Sequence, residues 1–162
     1  MIKIDSSLLN QLNSKAEGSP RKRINYNFHK ENNDTLQRML NAMEPETYIQ
    51  PHKHENPDKR EVFMVLKGSF IVVEFSEDGD IREYTVLDQD LGVYGAEIGP
   101  GIYHTFIALK KNSVAYEIKD GPYDVASDKN FAPWAPVESS GDGPAYNKDL
   151  LEKLKIRPDP FQ

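Results

Sequence analysis

The chain contains no cysteine. Disulfides and thiolate metal sites are thereby excluded, and any metal it binds must use nitrogen and oxygen ligands. Long apolar runs are also missing. The longest, FMVL and FIVV, fall far short of the roughly 20 residues a membrane helix needs. Basic charge is in deficit, with 20 Lys and Arg against 26 Asp and Glu and a net charge of −6. No basic run is longer than Arg21-Lys22-Arg23. A nucleic acid or an anionic membrane is therefore not an expected partner. The opening stretch MIKIDSSLLNQLNSKAEG has neither the apolar core nor the small-residue cleavage pattern of a signal peptide. A cytoplasmic location is the expectation. A phosphate-binding loop, a dinucleotide fingerprint and a defensible Ser-His-Asp arrangement are all absent.

What remains suits one domain with modest extensions, since compact domains cluster at about 100–150 residues. Asp5, Ser6 and Ser7 before Leu8, Leu9 and Leu12 read as an N-cap and a short amphipathic helix, ended by Gly18-Ser19-Pro20. In RINYNFH, Ile24, Tyr26 and Phe28 alternate with Arg23, Asn25, Asn27 and His29, the period of a strand. TLQRMLNAM is ambiguous, because Leu36, Met39, Leu40 and Met43 also fall at helical spacing. From Glu61 to Lys119 the chain is strongly β. Short apolar runs are joined by Lys67-Gly68, by a hairpin signal at Asp78-Gly79 and by Gly99-Pro100-Gly101. About seven or eight strands without intervening helices predict an all-β antiparallel sandwich or barrel. After Lys119 the texture becomes proline-rich and aperiodic, and it closes on a short helix near Leu150–Leu154 before a frayed end. The expected organisation is an N-terminal helical extension (1–22), a barrel (23–122) and an irregular C-terminal wrap (123–162). Tyr123, Phe131 and the single tryptophan, Trp134, are expected to pack in that wrap.

Two of the four histidines stand one residue apart, in PHKHENPDKREVFMVLKG. On a strand, residues i and i+2 face the same way, roughly 6.5–7 Å apart, so His52 and His54 can converge on one ion. Glu61 opens the next strand, and His104 opens a later one just after a tight turn. Glu55 is an alternative carboxylate, and a pair of solvated loop histidines is the alternative to ligation. Three imidazoles and a carboxylate suit iron, manganese, nickel, cobalt or zinc, and ligand type alone does not choose among them.

His52-x-His54, Glu61 and Gly68, followed by Pro100-Gly101 and His104, resemble the two metal motifs of the cupin superfamily. A closer similarity covers about residues 23–138. QRMLNAMEPETYIQPHKH, EVFMVLKG, EIKDGPY and DKNFAPWAPVE resemble the WbuC-type cupin-fold metalloproteins, which are encoded in polysaccharide and O-antigen gene clusters. The resemblance implies a jelly-roll barrel with one divalent ion held by His52, His54, Glu61 and His104. It also implies that 36–43 is a barrel strand. The spacing departs from the wider pattern in the six residues between His54 and Glu61 and in P-G-x-x-H for the second motif.

The function expected on this basis is metal-dependent chemistry on a small polar or anionic molecule, such as a sugar or nucleotide-sugar. Isomerisation or epimerisation fits better than oxygenation. The alternative is a non-catalytic binding or sensing module with a structural metal. Arg38 or Gln37 must face the interior if 36–43 is a strand, and Arg38 is the candidate for an anionic substrate. Tyr48 is a candidate pocket residue and Tyr103 a candidate proton-exchange group. His29 reads as a surface residue of its strand. Loop 55–60 is expected to tolerate substitution. A homodimer through sheet edges is also expected.

Overall fold

The computed structural model describes residues 1–158. Asp5 caps the first element as its position predicts: its side chain accepts from the Leu8 amide at 3.0 Å, and α1 runs over Ser6–Gly18. Ten strands follow. They are β1 (Arg23–Asn27), β2 (Leu36–Met43), β3 (His52–Lys53), β4 (Glu61–Lys67), β5 (Ser69–Phe75), β6 (Ile81–Asp88), β7 (Gly95–Ile98), β8 (Tyr103–Ala108), β9 (Ser113–Asp120) and β10 (Asn130–Phe131). A second helix, α2 (Gly143–Lys153), comes last. The strands form two five-stranded sheets, ordered β1-β2-β9-β4-β7 and β10-β3-β8-β5-β6, and every pairing is antiparallel.

Both faces of each sheet are used, which sets the packing. Between the sheets lies an apolar core of Met43, Phe63, Phe70, Leu87, Ile98 and Phe106, with Phe106 stacked between Phe63 and Phe70. The outer face of the first sheet is covered by α1, whose Leu9, Leu12 and Ala16 meet Leu40, Ala42 and Val114. The outer face of the second is covered by the tail, where Trp134, Leu150 and Leu151 pack over Ile71, Val73, Phe75 and Ile107.

The segment 36–43 is strand β2, as the resemblance implies. It reads ambiguously because both its faces are buried. The hairpin at Asp78-Gly79 joins β5 to β6 with Ser69 opposite Asp88 and Phe70 opposite Leu87. Gly68 turns β4 into β5 at φ 74°, where a Cβ would run into Ser113.

The tail is more regular than expected. Its β10 pairs with β3, placing Phe131 opposite His52, so the barrel's second sheet is completed by residues beyond the expected boundary at 122. Trp134 packs against Phe75 and Tyr103 and donates its indole N–H to the Glu77 carbonyl at 2.9 Å. Helix α2 starts at Gly143, well before Leu150. The last part of the expected frayed end, 159–162, lies outside the described residues.

Candidate metal centre

Strand alternation and register bring the four candidate ligands together. In β8, His104 and Phe106 point into the barrel while Tyr103 and Thr105 point out. Residue pairing sets His52 opposite His104, and Glu61 enters from the first sheet at the start of β4. His54 stands just past β3, where its carbonyl accepts from the Gly101 amide at 3.0 Å. One ligand atom from each of His52, His54, Glu61 and His104 lies within 4.8 Å of all the others, and all four residues are buried.

The hydrogen bonds around the imidazoles show what this cluster is built to hold. His52 Nδ1 meets the Gln50 carbonyl and His104 Nδ1 the Ile102 carbonyl, each at 2.9 Å, while His54 Nδ1 meets the Asp128 carbonyl. A carbonyl only accepts, so each Nδ1 must carry the proton. Each Nε2 of a neutral ring is then a lone pair aimed inward. The fourth group, Glu61, is also an acceptor: its Oε2 lies 2.9 Å from His104 Nε2 and 3.4 Å from His54 Nε2. His54 Nε2 is buried without a hydrogen-bond partner. Acceptors facing acceptors in a dry site are costly, and a cation among them removes the conflict. The donor set and its backbone supports therefore fit a divalent metal ion.

Titration behaviour agrees. Burial, reinforced by nearby Lys129 and His104, holds the His52 imidazole well below its ordinary pKa and so keeps it neutral.

Beside the cluster is a cavity of about 370 Å³. Its wall includes inward residues of β1 and β2 (Arg23, Asn25, Asn27, Gln37, Asn41), together with Glu117 and Lys119 of β9 and Asp128 and Lys129 of the tail. Register places Glu61, Lys119 and Gln37 in one row across three strands. Asp128 is a buried hub. Its carboxylate takes Lys59 Nζ and Lys119 Nζ, both at 2.8 Å, while its carbonyl orients His54. Burial opposes the charge of Lys119, but Glu61, Glu117 and Asp128 outweigh it and raise its pKa. Glu117 accepts from Asn41 Nδ2 at 2.5 Å, and burial with the charge of Glu61 pushes its pKa up to about 8.

Three expected site residues lie elsewhere. Gln37, not Arg38, faces the interior; Arg38 points to the other side of β2, with one guanidinium nitrogen 3.4 Å from the Phe28 carbonyl. Tyr48 is buried against Gly143 and Tyr146 and donates to the Pro136 carbonyl at 2.7 Å. Tyr103 has the opposite parity to His104 and packs outside the barrel beside Trp134, under the ammonium of Lys53. His29, read as a surface residue, lines the cavity, and its Nδ1 accepts from the Arg38 amide at 3.1 Å. Lys59, in the loop expected to tolerate change, is buried. Glu117, Lys119, Asp128 and Lys129 were not anticipated. The available signal was Glu117 and Lys119 at i and i+2, two charges on one face of a strand that also carries Val114, Ala115, Tyr116 and Ile118.

An antiparallel two-sheet barrel with three imidazoles and a carboxylate gathered inside has the architecture of a cupin jelly roll. Solved structures of similar fold include the capsular polysaccharide assembling protein CapF from Staphylococcus aureus. It is 21% identical with a TM-score of 0.56, over 66% of this chain and 28% of that one. The L-ribose isomerase of Cellulomonas parahominis with L-ribose is 14% identical with a TM-score of 0.53, over 75% and 72% of the two chains. The matched part thus spans under a third of the CapF chain and most of the isomerase. No curated protein matches the sequence. A family model described as a domain of unknown function, DUF6016, matches residues 4–87, and the chain belongs to that family.

Proposed function

We propose that this cupin is a metal-dependent enzyme acting on a small sugar or nucleotide-sugar, in the isomerase or epimerase class, within polysaccharide (O-antigen) metabolism. The observation that carries the reading is the set of inward lone pairs on His52, His54 and His104 beside the Glu61 carboxylate, opening onto a polar cavity. The sequence resemblance to the WbuC-type proteins supports the metabolic setting. The likeness in fold to an isomerase described with L-ribose is compatible with the reaction class.

His52, His54, Glu61 and His104 would hold one ion of iron, manganese, nickel, cobalt or zinc. When bound, such an ion supplies positive charge that polarises a substrate oxygen. The protein does the rest. Asn25, Asn27 and Asn41 offer amides that both donate and accept, which suits hydroxyl groups. Three carboxylates reach the cavity wall. Glu61 belongs to the cluster and Asp128 is bound by two lysines, so Glu117 is the carboxyl placed to exchange a proton with substrate.

Isomerisation or epimerisation through an enediolate removes a proton from the carbon next to a carbonyl, here to Glu117, and returns one to the product, so solvent deuterium should enter that position. The test is proton NMR in D2O of metal-loaded protein with a panel of aldoses, ketoses and nucleotide-sugars. Exchange with at least one substrate, lost in Glu117→Gln, is expected. Saturable binding with neither exchange nor conversion would instead establish the non-catalytic module.

A further inference from the structure

Among the lysines at the cavity, Lys129 differs from the rest. Lys119 is held by Asp128 at 2.8 Å with Glu61 and Glu117 at 4.0 Å, and Lys59 is held by Asp128 at 2.8 Å. Lys129 lines the same cavity, half-buried, and among the described residues it has neither an ion pair nor a side-chain hydrogen bond. Its position is nevertheless fixed. The preceding residue is the Asp128 hub, and the following residue, Asn130, pairs with Lys53 in the second sheet. An ammonium fixed at a cavity wall without a counter-ion costs desolvation that a ligand can recover.

Charge on the wall points the same way. Glu61, Glu117 and Asp128 carry at most three negative charges against four positive ones on Arg21, Arg23, Lys119 and Lys129, so the wall is formally positive, and a divalent ion in the cluster would make it more so. Amides supply much of the remaining polar surface. The volume, about 370 Å³, is near the lower end of the roughly 300–1,000 Å³ typical of ligand sites and so suits a small molecule.

We propose that Lys129 is the anion anchor of this cavity, receiving the carboxylate of a small polyhydroxylated acid whose hydroxyls meet Asn25, Asn27 and Asn41. A lysine is a compact point charge, matched to one carboxylate. A phosphate dianion calls for several donors at once, as at a helix N-terminus or around an arginine fork, and a single lysine supplies one point charge. Of the two arginines at the cavity wall, Arg23 is already taken by Glu138 at 2.8 and 2.9 Å and by the Tyr48 carbonyl, and Arg21 is exposed to solvent rather than set in the interior. Burial also pulls the Lys129 pKa below the ordinary lysine value, as expected for an ammonium short of partners.

The proposal rests on the metal reading of the four-residue cluster, and the test separates the two. Cobalt-loaded wild type, Lys129→Met and Lys129→Arg are titrated calorimetrically with D-glucuronate, D-gluconate, D-glucitol and inorganic phosphate, with cobalt content measured in each. Equal cobalt in all three proteins is expected. At least one acid should bind wild type about 10–100-fold more tightly than Lys129→Met, the range of a charge-assisted hydrogen bond, with Lys129→Arg near wild type. Glucitol should not distinguish the variants. Acid binding that is unchanged in Lys129→Met, or no tighter than glucitol in wild type, overturns the anchor; so does Lys129 dependence confined to phosphate. Wild type that takes up none of cobalt, iron, manganese, nickel and zinc overturns the metal reading instead, and Lys129-dependent acid binding by that metal-free protein still decides the anchor.

Discussion

At Asp128 one carboxylate meets two buried ammoniums, and the same residue's carbonyl fixes the tautomer of His54. Removing one partner of a buried charge cluster leaves the others unpaired, at a cost of about 3–5 kcal/mol. Asp128→Ala should therefore lower unfolding free energy by about that amount in urea titration, and a change under about 0.5 kcal/mol would contradict the hub. Lys59→Met should also destabilise, although its neighbour Asp58 is exposed and should accept substitution freely. Gly68→Ala is a second residue-scale test. Its φ of 74° disfavours a side chain and Ser113 occupies the Cβ position, so a loss of at least about 1–2 kcal/mol is expected in the same assay.

Elements were legible in the sequence where one face was plain. The Asp5 cap, the Asp78-Gly79 hairpin and the β run from Glu61 onward follow from short-range signals. Strand β2 was not legible from its period. Gln37, Met39, Asn41 and Met43 face the cavity while Leu40 and Ala42 pack under α1, so apolar residues occur on both faces. Strand β1 inverts the usual rule. Arg23, Asn25 and Asn27 point inward because this end of the barrel is a polar cavity, and pattern alone could not assign the side. The same missing information put Tyr103 in the site. One position of parity separates it from His104, and only register shows which faces in. Asp88 offers a pH test at this scale, at the end of β6. Burial opposes its ionisation, but the Asp90 amide, Lys110 and Ser69 outweigh it and lower its pKa. A carboxyl with a depressed folded pKa stabilises above its unfolded value near 3.8, and that contribution is lost as pH falls through the folded pKa. Wild type and Asp88→Asn should differ in urea stability at pH 7 and converge below about pH 3.8; a constant difference would count against the ionised pair.

Over the whole molecule, each sheet is covered outside and shared inside, so the metal cluster, the cavity and the core belong to one cooperative unit. No helix among the described residues is long and apolar enough to cross a membrane. An ion that binds the folded chain and not the unfolded one adds stability, about 2.7 kcal/mol at a hundredfold excess over its dissociation constant. Added cobalt should raise the thermal midpoint of wild type and leave His52→Ala/His54→Ala unmoved. The central claim, that four inward donors hold one divalent ion, is tested most directly by elemental analysis of protein purified without a histidine tag. The expected result is about one divalent ion per chain in wild type and essentially none in the double-alanine variant. Wild type that stays metal-free after exposure to all five candidate ions, or a double-alanine variant that keeps a full equivalent, would contradict it.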